Sequence, residues 1–448
     1  MSDSEPVRLA QFSVEKLFGE FSYEILLSSE RRITAIIAPN GSGKTASLRL
    51  IDALFRRKWS VFTQIEFKKV IYTYSDDTKI SIVRNIASNS PEEVADQIWP
   101  LVHFIQNGQE LQPWEIKLNE QSEIHRLDRY ISFLTRVGQN RYVHDYTGQS
   151  YSAQEALEAF ADQLPPDMVS KMYPGPPQLW NFLDQFDCHL IETQRLLILN
   201  EFPEEGFRPS NRRRETRYAI QQKAEKLKQI IARELTAYAA LSQSLDRSFP
   251  VRVMRSSNMM STEKLKQLLG ELDIKRKRLM GVGILDVEAT ENVELPADNV
   301  DDAIARLLSV YVDDTHKKLD SLEKILSRVQ LFKELVEERF RSKSVVISRT
   351  NGFSINYRGK DIPLDKLSSG EQHQLVLFFE LLFELERNAL ILIDEPELSL
   401  HVSWQRKFIG DLTKIIGLNE FDVVLATHSP QLIADWEELT VDLGSVEN

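Results

Sequence analysis

The sequence predicts an α/β fold in which two distant segments form one head and a long run of helices is inserted between them. In the first segment, an apolar strand at Ile33–Ile37 precedes a tight loop and a helical pattern at 45–57. In the last segment, strand, helix and strand alternate again between 389 and 426. Between the segments, apolar residues recur every three or four positions over 212–247 and 301–342, which is typical of long amphipathic helices.

Shorter elements fill the first half of the chain. Two alternating runs flank Ser75-Asp76-Asp77 and favour a hairpin over 67–84. From 91 to 185 the pattern is weaker, because helical stretches alternate with proline-rich breaks. We therefore predict an accessory helical insertion there, and an apolar strand returns at Cys188–Glu192.

The long helices have two interpretations. With a rise of 1.5 Å per residue, a continuous helix over 301–342 would be roughly 60 Å long. A shorter helix at 262–280 lies between it and the helix at 212–247. The three helices form either an arm that projects from the head, which we favour, or an ordinary bundle packed beside it.

The chain then returns to strands and a helix, at 344–347, 353–357 and 370–387. The predicted domains are 1–90 (N-terminal half of the head), 91–185 (helical accessory insertion), 186–211 (head segment), 212–343 (helical arm) and 344–448 (C-terminal half of the head).

Composition indicates an ordinary globular protein, with 42% apolar and 27% charged residues among 448. No stretch approaches the ~20 apolar residues that a membrane-spanning helix needs. The N-terminus lacks the basic and apolar regions of a signal peptide. Cys188 is the only cysteine, which excludes an intrachain disulfide and a zinc-cysteine cluster. We therefore expect a cytoplasmic protein without a membrane partner.

The formal net charge of −12 argues against indiscriminate coating of nucleic acid, because phosphate contacts need clustered Lys and Arg. Local basic clusters nevertheless occur at 208–217 and Lys275–Arg278, and an acidic stretch occupies 286–302. Each basic cluster binds DNA, docks an acidic partner or is solvated helix surface, and we favour docking over DNA.

The segment Ala38–Thr45 fits the phosphate-binding loop, except that Ala38 replaces its first glycine. Glycines let successive backbone N–H groups point at a phosphate next to a helix N-terminus. We expect Lys44 to bridge the β- and γ-phosphates of ATP and Thr45 to coordinate Mg²⁺. The predicted nucleotide-binding residues of the loop are Asn40, Gly41, Ser42, Gly43, Lys44 and Thr45.

A second motif is the apolar strand Leu390–Ile393, which ends in two acids. Ligands of α/β sheets bind at the carboxyl ends of strands, where Asp394 is expected to hold Mg²⁺, directly or through water. The next residue, Glu395, is expected to orient or deprotonate the attacking water.

The segment Leu367–Gln372 resembles the signature motif of ABC-type ATPases, with Ser369 and Glu371 departing from the usual Leu-Ser-Gly-Gly-Gln. In that superfamily the motif contacts the γ-phosphate bound to the opposite protomer. The resemblance therefore implies nucleotide contacts for Ser368, Ser369, Gly370 and Glu371. An N-terminal capping box formed by Ser368 and Glu371 is an alternative that is compatible with the same residues.

Three further segments resemble motifs of the same superfamily. The strand Leu390–Ile393 with its two acids is the Walker B motif of that superfamily, and residues 397–401 are similar to the loop that follows it. His428 stands at the position of the superfamily's switch histidine, which contacts the γ-phosphate. Gln194 is the candidate for the glutamine that senses Mg²⁺ and the γ-phosphate. Phe18 and Phe21 either stack on adenine or pack in the core.

The wide separation of the phosphate loop from the signature segment disfavours a transporter cassette, and the resemblance is to the OLD/RecF-like ATPases of bacteria. It implies a homodimer of heads or a larger homo-oligomer that hydrolyses Mg-ATP. The group that the chain resembles also includes the ATPase subunits of the PARIS and Septu anti-phage systems. The resemblance thus implies a sensor ATPase that controls a separate nuclease or toxin. The alternative is a DNA-binding ATPase of repair or maintenance. Because little sequence follows His428, we expect any nuclease to be a separate polypeptide.

Overall fold

A computed structural model gives the fold of the chain. It describes residues 6–84, 99–117, 119, 124–131, 133–138, 141–145, 148–153, 156, 160, 164, 171–191, 197–198, 217–256, 259–286, 301–340, 342–400 and 402–443.

The strands in chain order are β1 (Leu9–Leu17), β2 (Phe21–Leu26), β3 (Ile33–Ile37), β4 (Lys69–Tyr74), β5 (Lys79–Val83), β6 (Leu101–Gln106), β7 (Gln109–Glu110), β8 (Trp114–Glu115), β9 (Leu134–Arg136), β10 (Arg141–His144), β11 (Ser150–Ser152), β12 (Cys188–Ile191), β13 (Leu197–Ile198), β14 (Arg217–Tyr218), β15 (Lys343–Ser348), β16 (Gly352–Tyr357), β17 (Lys360–Ile362), β18 (Leu390–Asp394), β19 (Asp422–Thr427) and β20 (Thr440–Asp442).

The helices are α1 (Lys44–Phe55), α2 (Val61–Gln64), α3 (Pro177–Leu183), α4 (Ala219–Arg255), α5 (Thr262–Gly281), α6 (Asp302–Asp320), α7 (Glu323–Arg339), α8 (Ser369–Phe379), α9 (Val402–Asn419) and α10 (Pro430–Ile433). Within the described ranges, none of the helices is both long enough and apolar enough to cross a membrane.

The described residues form two compact units. The first contains those of 6–191 and 385–443, and the second contains those of 197–198 and 217–384. The strands β15–β17 and the segment 367–372 thus belong to the same unit as the long helices. The α/β head and the inserted helices predicted from the sequence are both present, whereas the predicted domain boundaries stay a prediction.

A parallel sheet of order β12-β18-β19-β3-β20 forms the centre of the first unit. Its middle strands are continuous apolar runs that are almost wholly buried, as expected where both faces of a parallel sheet are covered. The register pairs Asp394 with Ala426, and Thr427 with Ile37. The carboxyl ends of β3, β18 and β19 therefore meet at one edge of the sheet.

An antiparallel sheet of order β2-β1-β4-β5-β6-β7, with β8 also paired to β6, completes the first unit together with a small sheet of β9–β11. The predicted hairpin is confirmed as β4 and β5, whose turn is closed by Thr78 N donating to Asp76 Oδ1. The two larger sheets and α1 share one apolar core.

The prediction of a helical insertion over 91–185 is wrong for the described part of 101–152. There the chain forms β6–β11 and one 3-10 turn at Ile124–Arg129. In β6 every second residue is buried, because the strand extends the antiparallel sheet beside β5. The region is anchored by aromatic contacts, since the ring of Trp59 lies 5.0 Å from that of Trp114 and 5.4 Å from that of Trp180.

In the second unit, α4 confirms the first predicted long helix, and α5 confirms the shorter one. The buried residues of α4, such as Leu227 and Ile231, lie on the predicted apolar stripe. Gly352 of β16 lets the sheet β15–β16–β17 approach this helix, because a Cβ at that position would lie 1.8 Å from the carbonyl oxygen of Ala224. Whether the helices project as an arm stays a prediction.

The single long helix predicted over 301–342 is wrong, because the structure divides it into α6 and α7. The break lies at Ser321, whose hydroxyl donates to the carbonyl of Lys318 at 2.6 Å, and at Leu322, which is wholly buried. The Lys318 carbonyl thus has a partner outside the helical ladder at the point where α6 ends, and Leu322 N donates to Leu319 O in place of it.

The basic cluster Lys275–Arg278 lies on α5, and its side chains have partners within the second unit. Lys275 pairs with Asp320 at 2.5 Å, and Lys277 pairs with Asp273 at 2.6 Å. The guanidinium of Arg276 donates to the Tyr311 hydroxyl, and that of Arg278 donates to Gln330. These contacts favour the interpretation of the cluster as stabilising helix surface. Of the other two charged segments, 208–216 and 287–300 lie outside the described residues.

Candidate nucleotide site

The predicted phosphate loop connects β3 to α1 and turns through two left-handed glycines, Gly41 (φ 86°) and Gly43 (φ 89°). Gly43 also lies close to Leu17 of β1, in the antiparallel sheet. Glycine is required here by the backbone angle, and a Cβ on Gly43 would also lie 2.5 Å from Leu17 Cδ2, so that side chain would have to shift. The loop thus leads directly into the N-terminus of α1, as an anion site needs.

The side chain of Lys44 is buried beneath the phosphate loop. Its Nζ donates to the carbonyl oxygens of Ala38 at 2.6 Å and Pro39 at 3.0 Å. The loop therefore holds the ammonium group by its own backbone. A bound phosphate would offer the same group a stronger, charged acceptor.

Two buried groups of Ser42 bear on whether the loop fits a phosphate. Its carbonyl oxygen accepts a 2.6 Å hydrogen bond from the hydroxyl of Tyr23, which fixes the loop from the side of β2. Its own hydroxyl is buried and makes no hydrogen bond within the described structure. An unpaired hydroxyl inside the loop fits a phosphate oxygen, since buried polar groups otherwise find partners.

The side chain of Thr45, the next residue of α1, meets the end of β18. Its Oγ1 donates to Asp394 Oδ2 at 2.9 Å. A hydroxyl beside a carboxylate is a pair of hard oxygen ligands, which suits Mg²⁺ completed by phosphate and water. The structure therefore brings together two residues that are far apart in the sequence and that we predicted as metal ligands.

Glu395 follows Asp394 and adopts a left-handed backbone conformation (φ 43°, ψ 57°). Such angles are uncommon for a residue with a Cβ and cluster at functional sites. Two backbone bonds hold the turn: Glu395 N donates to Ala426 O at 2.9 Å, and Leu398 N donates to Glu395 O at 3.2 Å. Its carboxylate is about one-quarter exposed.

A cavity of about 470 Å³ opens over these residues. Its lining residues are Phe18, Asn40, Gly41, Gly43, Lys44, Thr45, Ala46, Arg49, Ile65 and Glu395. Of the two aromatic residues with open interpretations, Phe18 lines this cavity, whereas Phe21 stacks on Tyr23 with ring centroids 5.8 Å apart. No sequence motif marks Arg49 or Ile65, which also line the cavity.

His428 follows β19 at the same sheet edge. Its Nδ1 lies 3.7 Å from Glu395 Oε1 and 3.1 Å from Glu397 Oε1. The imidazole is about two-fifths exposed, whereas the carboxylate of Glu397 is almost wholly buried. Sequence reasoning placed Glu397 in the loop after the Walker B strand but gave it no role, because its contact with His428 depends on the register of β18 and β19.

The predicted signature residues begin α8, in the second unit. Ser368 is the N-cap, and the capping box is confirmed: Ser368 Oγ accepts from Glu371 N, and a Glu371 carboxylate oxygen accepts from Ser368 N at 3.0 Å. Ser369 and Gly370 form the first turn of the helix. The nearby Gln372 donates to Leu367 O at 2.8 Å and closes the loop before the helix.

Glu371 also pairs with Lys343 at 2.5 Å. Burial alone would raise the pKa of Glu371, but the hydrogen bonds from Lys343 and Ser368 outweigh it and leave the pKa below its usual value. The side chain that departs from the usual signature sequence is thus used to cap and anchor this turn. The candidate Gln194 lies outside the described residues.

Comparison with known proteins matches residues 16–433 to the family described as the AAA ATPase domain. Similar solved structures include the Smc head domain of Pyrococcus furiosus with an extended coiled coil, bound to the C-terminal domain of ScpA (TM-score 0.34, 11% identity, 96% of this chain and 92% of that chain). The SMC head domain of Thermotoga maritima is similar over 96% of this chain and 92% of that chain (TM-score 0.29, 11% identity). An SMC head bound to the C-terminal winged-helix domain of ScpA is a third (TM-score 0.32, 10% identity, 96% and 91%).

Proposed function

The chain belongs to the AAA ATPase domain family, and from this premise we propose that it hydrolyses Mg-ATP at composite sites between two copies of itself, as ABC-type ATPases do. The observation that carries the proposal is the contact of Thr45 with Asp394, made beside the loop that holds Lys44. It joins a phosphate loop to a hydroxyl–carboxylate pair, which is the combination that Mg-ATP requires.

The first role of the site is to bind the phosphates. The loop's backbone N–H groups and the start of α1 attract them, and the Ser42 hydroxyl donates to one of their oxygens. Lys44 donates to the β- and γ-phosphates, which offer its ammonium group a charged acceptor. Thr45 and Asp394 would hold Mg²⁺, which would supply positive charge to the phosphates.

The second role is to activate water. Glu395 is the general base, because its carboxylate lines the cavity and is partly exposed, so it can accept a proton from a water that attacks the γ-phosphate. His428 contacts the γ-phosphate from the neighbouring strand end. The proton passes to Glu395, and the bond from the γ-phosphorus to the β,γ-bridging oxygen breaks.

The third role belongs to the partner copy. Ser368, Ser369, Gly370 and Glu371 of one protomer complete the site around Lys44 of the other. Support comes from the resemblance to the signature motif and from the helix N-terminus, which favours an anion. An isologous two-fold contact between the heads follows, because each copy supplies both halves of a site. Homodimerisation, or a larger closed assembly, is therefore part of the proposal.

The proposal is tested by Glu395→Gln. We expect this variant to bind ATP as tightly as the wild type, to turn it over roughly 10²–10⁴ times more slowly, and to accumulate as an ATP-bound dimer. The matched control is Glu438→Gln, the same change at an exposed carboxylate of the first unit. Steady-state ATPase assays and light scattering measure both. Equal turnover by Glu395→Gln and the wild type would remove Glu395 from its role.

A wider role rests on the resemblance to the PARIS and Septu ATPases. We propose that nucleotide state controls a separate effector, a nuclease or toxin, in cytoplasmic anti-phage defence. The internal pairing of Lys275–Arg278 favours neither a DNA-binding role nor partner docking at this cluster. Purification from the native operon with mass spectrometry tests the idea: a co-eluting effector supports it, whereas co-elution with repair proteins and DNA supports the alternative of a maintenance ATPase.

A further inference from the structure

A buried carboxylate lies beneath the proposed switch histidine. Glu397 is in the 3-10 turn Pro396–Ser399 that follows the Walker B strand, and its side chain is only 4% exposed. Burying a charged group is costly unless hydrogen bonds compensate for its lost water. The partners of Glu397 therefore show what the carboxylate is there to hold.

Those partners come from the segment Thr427–Ser429 at the end of β19. Glu397 Oε1 accepts from Thr427 Oγ1 at 2.7 Å and from the backbone N–H of His428 at 2.8 Å, and lies 3.1 Å from His428 Nδ1. The same Thr427 hydroxyl accepts from Ser429 N at 3.0 Å. One oxygen thus fixes the backbone N–H of the histidine and the hydroxyl of the preceding residue, and it lies beside the histidine ring.

A second bridge joins the same two loops. Gln405 of α9 accepts at its Oε1 from the Ser429 hydroxyl at 2.7 Å. Its amide nitrogen donates to the carbonyl oxygens of Glu397 at 3.4 Å and Leu400 at 3.3 Å. Hydrogen bonds therefore join the loop after β18 to the loop after β19 through both the side chain and the backbone carbonyl of Glu397.

We infer that Glu397 is a positioning residue that keeps a proton on His428 Nδ1. A carboxylate accepts hydrogen bonds and cannot donate them when ionised, so the ring nitrogen beside it is the N–H. In the neutral ring this makes Nε2 the acceptor, and in the imidazolium both nitrogens donate. Nε2 then donates to a γ-phosphate oxygen only from the imidazolium, a consequence that rests on the proposed function.

Glu395 does not compete for this task. Its Oε1 lies 3.7 Å from His428 Nδ1, which is beyond hydrogen-bond distance. Two carboxylates of one turn thus face one imidazole at different distances. The nearer one is buried and orients the ring, whereas the farther one is exposed to the cavity and is available to water.

The first test measures the ring itself. In ¹⁵N-histidine-labelled protein, the nitrogen shifts distinguish the Nδ1–H tautomer, the Nε2–H tautomer and the imidazolium. We expect the signal of His428, assigned by its loss in His428→Gln, to be the Nδ1–H tautomer. The Nε2–H form in the wild type would overturn the inference without reference to any ATPase assay.

The second test removes the carboxylate. In Glu397→Ala we expect the His428 signal to shift towards the Nε2–H tautomer, which prevails in water, and kcat to fall roughly tenfold or more while KM changes less than about twofold. The control Glu438→Ala should leave both unchanged. A change in KM alone, or an unchanged tautomer in a folded variant, would contradict the inference. Absence of ATP turnover in the wild type would instead refute the proposed function and leave the tautomer result standing.

Discussion

Tyr23→Phe isolates the bond that holds the phosphate loop from the side. The Tyr23 hydroxyl donates to the Ser42 carbonyl at 2.6 Å, and the tyrosine is 5% exposed. Burial, with a smaller effect of Glu20, raises the pKa of Tyr23, so the hydroxyl keeps its proton and remains a donor. Removing it leaves a buried carbonyl without that donor, which costs about 1–3 kcal/mol.

The lost free energy lowers the stability of the whole unit, or it destabilises the phosphate-binding conformation of the loop. For a unit of this size, 1 kcal/mol lowers Tm by about 2–4 °C, so we expect a loss of about 2–12 °C. Where the loop relaxes instead of the whole unit unfolding, the conformation that binds phosphate becomes rarer. The dissociation constant for ATP then rises about tenfold for each 1.4 kcal/mol that falls on the loop.

Tyr72→Phe provides the matched control. Its hydroxyl is wholly buried and donates to the Leu50 carbonyl at 2.7 Å, in the middle of α1 rather than in the loop. We expect the same loss of Tm from both variants, measured by calorimetry, but weaker ATP binding only from Tyr23→Phe. If both variants bind fluorescent ATP with wild-type affinity, the bond supports the fold alone and our reasoning about the loop is refuted.

Three further predictions follow from the proposed site and from the second unit. Lys44→Ala should abolish measurable ATP binding at concentrations that saturate the wild type, as judged by calorimetric titration, because the loop loses its point charge. Mixing Lys44→Ala with Ser369→Arg chains should restore about one working site per heterodimer, since only the pairing of the two intact halves is active; confirmed heterodimers without ATPase activity would exclude a shared site. Burial alone would raise the pKa of Glu384, but Lys223 at 2.7 Å and Lys226 leave it below the ordinary value of 4.5. The stability from this ion cluster is therefore present above pH 4.5 and is lost as the pH falls through the lower folded value, so denaturant unfolding of Glu384→Gln should show a flatter pH dependence below 4.5 than that of the wild type.

The sequence predicts those parts of the site in which residues that act together are also close together in the chain. Gly41, Gly43 and Lys44 lie on one tight turn, and a phosphate loop is readable from their spacing. The meeting of Thr45 with Asp394 was predictable by a different route, because the carboxyl ends of parallel strands share one edge. Both inferences depend on local sequence and on a general property of α/β sheets.

The parts that could not be predicted depend on register or on competition between local and long-range contacts. Tyr23 and Glu397 are ordinary strand and turn residues until the pairing of β1 with β2 and of β18 with β19 is known. The apolar stripe over 301–342 continues through Leu322, so periodicity alone predicts one helix, although α6 ends at Asp320 and α7 begins at Glu323. In β6 the alternation spans only six residues, which is too short to outweigh the proline-rich breaks that follow it.

The turn after β18 contains three acidic residues within four positions, Asp394, Glu395 and Glu397, and we propose a different role for each. The backbone of the turn explains how neighbouring acids can serve different roles. Asp394 ends the strand and faces Thr45, and the left-handed step at Glu395 then redirects the chain. Pro396 fixes the start of a 3-10 turn that returns Glu397 towards β19. Without the left-handed step, alternation along an extended strand would send Asp394 and Glu395 to opposite faces of the sheet. The cost of about 1–3 kcal/mol for that backbone conformation is therefore offset where it places metal ligand, base and positioning carboxylate around one sheet edge.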